Sequence, residues 1–477
     1  MLTVRNQLGR LAALLRRYQD WLDRHKRLKY WLHVLRLGLF QFGMGLSLAP
    51  LTGTLNRVLI DEAGIPAVAV GFLISIHYFV SPARVLIGFR SDQDRAAGHW
   101  RTPYLVFGAM LTYGGLATAP FSLILLGGDG HLSFWVALVV CTAIFLAYGI
   151  GANVVETIYL ALVSDITEPR ERGRTLAVLW IMLIMGTIVS SVIVGLFLID
   201  YTPVRLIRVM QGSAVVFVVL TLLSMLGQER IRPDGTIDNP HGEIHVRMAL
   251  GESLRLLANH RLLLGVFILL FLATISFATH DVLLEPYGGQ VLDMSVAATT
   301  RLTALWGIAM LVAIVLAGWW LWRGSSPVLL IALGCATGAL GFLVIGYASD
   351  AELINPFRAG VWFIGMGRGM FVVGSLSLVM SITDRHHAGL FLGLWGVSQA
   401  LAQGLGTIGG GLTRDIAHYL TGSVVIGYTT VYAASLIGLI LSLLLLVFMR
   451  LERHFKEGAV RSPWANLQDV PADQVLF

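Results

Sequence analysis

Charge is what this sequence has least of. Of its 477 residues only 13% are Asp, Glu, Lys or Arg, about half of the roughly 25% carried by soluble domains. A water-soluble globular enzyme is excluded, because so little polar surface cannot cover a core of this size. Cysteine is nearly as scarce: Cys141 and Cys335 lie far apart inside apolar runs, which excludes a disulfide framework and a Cys-x-x-Cys site. No short apolar stretch stands near the start, so no cleavable signal peptide is expected. Nucleophile–base pairs, nucleotide loops and metal-ligand clusters are also missing, and neither an enzyme nor a nucleic-acid partner is expected.

What is abundant is apolar: 56% of residues are hydrophobic, and 52 are glycine. A chain of this kind hides its surface in lipid, where each spanning helix needs about 20 apolar residues. Hydropathy windows predict twelve spans, at 33–60, 66–88, 104–126, 132–163, 174–199, 206–227, 261–285, 297–322, 328–348, 356–382, 388–413 and 423–449. The fold class is an all-α integral membrane protein.

The distribution of Lys and Arg orients it. The N-terminal segment, the 2–3 loop (Arg90, Arg95, Arg101), the 4–5 loop (Arg170, Arg172, Arg174), the central segment and the tail (Arg453, Lys456, Arg461) are basic, whereas 61–65, 127–131, 286–295 and 416–423 contain no Lys or Arg. Both termini are therefore expected in the cytoplasm, with Arg57, Arg205, Arg208, Arg301, Arg358 and Arg414 as exceptions near the opposite side. Within 1–32, Leu8, Leu11, Leu15, Tyr18 and Leu22 recur at helical spacing with Arg10, Arg17 and Arg24 on another face. Two readings stay open: an amphipathic helix on an anionic bilayer, or a solvated basic tail.

The one long polar stretch between spans is 228–260, with Pro233-Asp234-Gly235 and Asn239-Pro240. It separates an N-terminal six-helix half, 33–227, from a C-terminal half, 261–450, and a tail, 451–477, follows. Two six-helix halves about a linker is the layout of the major facilitator superfamily. A trace of repetition supports it: Gly149-Ile150-Gly151 stands before Leu160-Ala161-Leu162-Val163 as Gly365-Met366-Gly367 stands before Leu376-Ser377-Leu378-Val379.

Ionisable groups within lipid are costly, about 2.5 kcal/mol or more on insertion scales, and each is a functional candidate. Glu156 falls near mid-membrane in span four, and Arg368 at almost the equivalent depth in span ten. They are expected to face each other across a central cavity, as a structural ion pair or as a polar site. His77, at the midpoint of span two, is either bonded to a neighbouring helix or able to ligate a metal through one ring nitrogen. No histidine at i+3 or i+4 completes a protein-only metal site. Arg84, Gln41, Gln399 and Gln403 are further polar groups of the kind that join helices. At the end of span seven, His280, Asp281 and Glu285 are followed by Pro286-Tyr287-Gly288-Gly289-Gln290. There Pro286 and the glycines are expected to stop the helix.

Gly88-Phe89-Arg90-Ser91-Asp92, with Arg95 and Arg101 following, resembles the superfamily's G-x-x-x-D-R loop motif. In that motif the aspartate caps a helix and pairs with arginine to hold one conformation. Gln93 replaces the arginine, and the matching stretch from Gly318 to Ser326 offers Arg323 but no carboxylate.

The run from Asp281 to Trp306, the run from Gly43 to Arg57, Ser81-Pro82-Ala83-Arg84 and Arg101-Thr102-Pro103-Tyr104 resemble the PucC/LhaA family, the bacteriochlorophyll-delivery branch of the superfamily. That resemblance implies an inner (intracytoplasmic) membrane assembly factor. Such a protein would bind bacteriochlorophyll, with carotenoid as a further pigment, and hand it to antenna α and β polypeptides. The reaction centre and pigment-synthesis enzymes would be further partners. Asp281, Glu285, Pro286 and Tyr287 carry the family signature, and His77, Asn153, Glu156, His280 and Arg368 are the candidate pigment or cavity residues. PucC-like members carry G-x-G-x-H-x-x-Q-T in span four, where this chain has Gly149, Gly151, Asn153, Glu156 and Thr157. The departures resemble the LhaA type, which serves the core antenna, LH1. The alternative is a secondary transporter of a small molecule.

Overall fold

The computed structural model describes residues 25–84, 101–127, 132–168, 171–228, 261–351, 354–382 and 388–450. The expected surface helix in 1–24, the loop residues Gly88, Asp92 and Arg95, the linker 229–260 and the tail 451–477 lie outside them.

Among the described residues the chain is helical throughout. The first half holds α1 (Lys26–Ala49), α2 (Ala67–Val80), α3 (Thr102–Thr118), α4 (Phe134–Ile166), α5 (Arg172–Phe197) and α6 (Pro203–Met225). The second holds α7 (Arg261–Ala278), α8 (Val296–Trp322), α9 (Pro327–Ala351), α10 (Ile354–Ile382), α11 (Ala388–Thr421) and α12 (Val424–Phe448). Nine helices of the described residues are long and apolar enough to cross a membrane, and Ala67–Ala83 and Leu263–Ala278 are shorter apolar helices. Helix starts follow local chemistry: the hydroxyls of Thr202, Ser295 and Ser423 accept from the backbone N–H groups of Arg205, Ala298 and Ile426, satisfying donors that a first turn leaves unpaired.

Two helices depart from the predicted regularity. Beyond Ala49, α1 continues as π-helical turns, Pro50–Leu55 and Val58–Glu62. Pro50 has no N–H to donate, and the hydrogen-bond ladder widens there. Span seven, expected to run to 285, breaks at Ala278 and resumes as a short helix, Leu284–Gln290. Pro286 does not stop a helix as expected. It stands in the first turn of the short one, where a missing N–H goes unmissed.

Packing repeats at an interval of six helices. α1 packs on α5 and α6, α2 on α4, and α3 on α4 and α6; likewise α7 packs on α11 and α12, α8 on α10, and α9 on α10 and α12. Between the halves, α2 meets α11 and α5 meets α8. Lipid gives apolar helices no hydrophobic reason to associate, so close approach at small residues does much of the work. The paired glycines anticipated from sequence fill equivalent roles: Gly149 and Gly151 of α4 lie against His77 of α2 and Thr112 of α3, and Gly365 and Gly367 of α10 against Trp306 of α8 and Gly338 of α9.

Candidate functional site between the halves

Three polar groupings line the seam. The first joins α2 to α4. Arg84 donates from Nη2 to Glu156 Oε2 at 2.6 Å and from Nε to Asn153 Oδ1. Asn153, 1% exposed, donates to the carbonyls of Gly149 at 2.7 Å and His77 at 3.0 Å. His77 Nδ1 donates to the Ile74 carbonyl at 2.7 Å, and its ring lies between those of Tyr78 and Tyr148.

The second grouping surrounds the break in α7. Arg368 of α10 donates to both oxygens of Asp281, at 2.8 and 3.1 Å, and stands over the Trp306 ring. The expected pairing of Glu156 with Arg368 is therefore absent. Each has a nearer partner in its own half, because the unwound turn after Ala278 carries Asp281 to Arg368 and the end of α2 carries Arg84 to Glu156. Tyr78 lies within electrostatic reach of Glu156, Asp281 and Arg368, so one phenol stands near both ion pairs. His280, 2% exposed, packs edge-on against Phe342 with Nε2 3.8 Å from Asp281. Tyr287 is buried among the rings of Phe357, Tyr428 and Tyr432.

The third grouping closes the end of the bundle that carries the α1–α2, α7–α8 and α11–α12 connections, termed here the far end. Arg57, 4% exposed, reaches Asp61 and Glu62, each at 2.9 Å, and the Met294 carbonyl at 3.0 Å in the other half. Gln290 donates to the Ile60 carbonyl at 3.2 Å and accepts from Arg414 and Tyr428, each at 2.8 Å. Asp415 accepts from the backbone N–H of Val68 at 2.8 Å. Sequence reasoning noted Arg57 and Arg414 only as exceptions to the charge bias. Both are buried, neutralised by acids of their own helices, and bonded across helices to the Met294 carbonyl and Gln290, so they answer to these contacts rather than to the membrane-side rule.

Of the loop motif, Arg101 is described: it is buried at the start of α3, its carbonyl accepting from Leu105 N at 3.0 Å. In the corresponding place of the second half Arg323 lies 4.0 Å over the Trp319 ring, an aromatic partner where no carboxylate stands in sequence. Among the described residues no group of three or more His, Cys, Asp or Glu side chains is arranged to hold a metal ion.

A family model described as PUCC protein matches residues 54–453. The chain belongs to the PucC family. It is 37% identical over 446 residues to an "uncharacterized protein in puhA-bchM intergenic region" of Rhodobacter capsulatus, covering 91% of this chain and 92% of that one. To the Protein PucC of Rhodovulum sulfidophilum it is 38% identical over 389 residues, 80% and 85% of the two chains. A solved structure of a POT family transporter in complex with a thioalcohol-conjugated peptide superposes with a TM-score of 0.64 at 13% identity, over 89% of this chain and 96% of that one. The likeness to that structure is one of fold: this PucC family member has the major facilitator superfamily architecture.

Proposed function

We propose that this chain is a non-enzymatic membrane assembly factor for photosynthetic light-harvesting complexes, binding bacteriochlorophyll and passing it to antenna α and β polypeptides. LH1 around the reaction centre is its proposed destination, the bacterial inner membrane its proposed place, and the cytoplasm the proposed side of both termini. Carotenoid, the reaction centre and pigment-synthesis enzymes belong to the same proposal.

Family membership supports this reading, and the state of His77 carries it. With Nδ1 committed as donor to Ile74, the neutral ring presents its Nε2 lone pair, the tautomer that a second-shell carbonyl fixes in metal-ligating histidines. No other protein group of the described residues bonds that Nε2. The residue is half-buried and its ring is flanked by tyrosines, which suits a flat apolar cargo bearing a magnesium ion. Other candidates fit less well. Asn153 spends its amide on Arg84 and two carbonyls, Glu156 is held by Arg84, and His280 and Tyr287 are buried in packing. Arg368 is engaged by Asp281.

A tagged protein purified from photosynthetically grown cells is expected to carry bacteriochlorophyll absorption and to bring antenna polypeptides with it. Colourless protein free of antenna subunits, together with proton-coupled flux in vesicles that depends on Glu156, would reverse the reading in favour of a secondary transporter.

A further inference from the structure

Among the described residues the partly buried acids have cations, and the one fully buried acid does not. Glu156 has Arg84 at 2.6 Å, Asp281 has Arg368 at 2.8 Å, and Asp61 and Asp415 have Arg57 and Arg414, each at 2.9 Å. Glu285, 4% exposed at the second position of the short helix, has none. Its Oε1 accepts from Thr303 Oγ1 at 2.7 Å, and its Oε2 is buried without a partner.

The surroundings offer little to a negative charge. From α1, Gly53 lies so close that a Cβ there would stand 2.6 Å from Thr303 Oγ1 and 3.4 Å from Glu285 Oε1. Asn56 turns its amide toward the carboxyl as a neutral donor and also donates to the Val282 carbonyl at 3.2 Å. Arg57, on the same helix, is turned to Asp61, Glu62 and Met294. From α8 comes Thr303, and from α12 Tyr432, whose buried hydroxyl has no partner and lies within electrostatic reach of Glu285. Along its own chain the neighbouring charge is Asp281, another anion, which already occupies Arg368. His280 is turned to Asp281.

An ionised carboxylate here would give up its hydration for a few neutral donors, Thr303, Asn56 and its own backbone N–H, with no cation among the described residues, a poor exchange in a low-dielectric interior. The neutral acid avoids that cost and turns one oxygen into a donor. Glu285 also sits on the seam, between Thr303 of its own half and Gly53 of the other. Separating the halves at the far end would bring water to it and favour ionisation. We propose that Glu285 is a proton-binding site, occupied while the far end is closed and emptied to water as the halves part. This inference does not depend on the pigment reading. By linkage, the closed state binds the proton more tightly, so acid favours closure. Over the range where Glu285 ionises, the closed-to-open ratio falls by about tenfold per pH unit as pH rises.

Infrared spectra of the purified full chain test it. At neutral pH the carbonyl stretch of a protonated carboxyl is expected in the wild type, shifted when glutamate is 13C-labelled and lost in Glu285→Gln. A labelled wild type with no such glutamate band overturns the proposal without relying on a variant. Hydrogen exchange across 284–295, corrected for intrinsic rates, supplies the coupling. Protection is expected to fall with rising pH in the wild type and to be pH-independent in Glu285→Gln; the same pH dependence in both overturns it.

Discussion

Arg84 grips Glu156 at 2.6 Å from the adjacent helix of the same half, although Arg368 is the cation that lies at matching depth in the repeat. Each of these two cations therefore pairs within its own half, and neither pair crosses the seam. Both side chains of the Arg84 pair are less than one-fifth exposed, which puts its worth between that of surface and fully buried pairs. A double-mutant cycle of Arg84→Met with Glu156→Gln, read from thermal or denaturant unfolding in detergent, is expected to show a coupling of about 1–3 kcal/mol. The cycle of Glu156→Gln with Arg368→Met should stay within about 0.5 kcal/mol, the scatter for residues with no shared partner. Equal couplings would restore the cross-cavity pairing.

His77 and His280 differ in access, and that difference predicts which of them pigment needs. His77 is partly exposed with Nδ1 committed to Ile74, whereas His280 is 2% exposed against Phe342. Replacing His77 by Leu is expected to cut co-purifying bacteriochlorophyll several-fold while the protein stays folded. His280→Leu should leave pigment per protein unchanged. Pigment content measured by extraction and absorbance decides this, and an unaffected His77→Leu removes that residue as ligand.

Hydropathy located the helices to within a few residues at most ends, since twenty apolar residues in lipid have few alternatives to a helix. It misplaced features set by tertiary contact. The break of α7 after Ala278 falls at Thr279-His280-Asp281, a short polar interruption that a window of about 19 residues averages away, and the π-helical turns after Pro50 leave no mark in apolarity. Partner choice was equally hidden: Glu156 and Arg368 looked paired because they share a depth, while Arg84 and Asp281 were closer once α2 and the unwound turn were built. The glycine pairs of α4 and α10 were legible because contact geometry demands the residue type itself. For Glu285 a signal did exist in the sequence, an acid beside Pro286 with no basic residue nearby in the chain, but a missing cation becomes visible only when all neighbours are in place.

Arg57 is expected to be the strongest single tie at the far end. It is buried and holds Asp61 and Glu62 while reaching Met294 of the other half. Arg57→Met leaves Asp61 without its cation and should cost about 2–4 kcal/mol. Arg57→Lys should recover only part of this, because one ammonium cannot reproduce a planar fork of donors. Hydrogen exchange at 284–295 is expected to rise in both variants, more in Arg57→Met, and unchanged exchange would mean that the interlock is not what closes this end.

Two adjacent glycines of α11 should respond to alanine with opposite signs. A Cβ at Gly410 would come within 1.9 Å of the Thr279 carbonyl oxygen, at the very start of the break after α7. That oxygen is backbone and cannot swing aside, so α7 and α11 would have to separate. Overpacking of this kind typically costs about 1–3 kcal/mol, and here it also displaces the turn that presents Asp281 to Arg368. At Gly409 nothing lies within 4 Å. Gly409→Ala therefore meets no obstacle and gains helix propensity, worth up to about 1 kcal/mol. Unfolding midpoints of the two variants in the same detergent are expected to fall on either side of the wild type. If both moved the same way, the close packing of α7 against α11 at this point would be wrong, and the break that positions Asp281 would need another explanation.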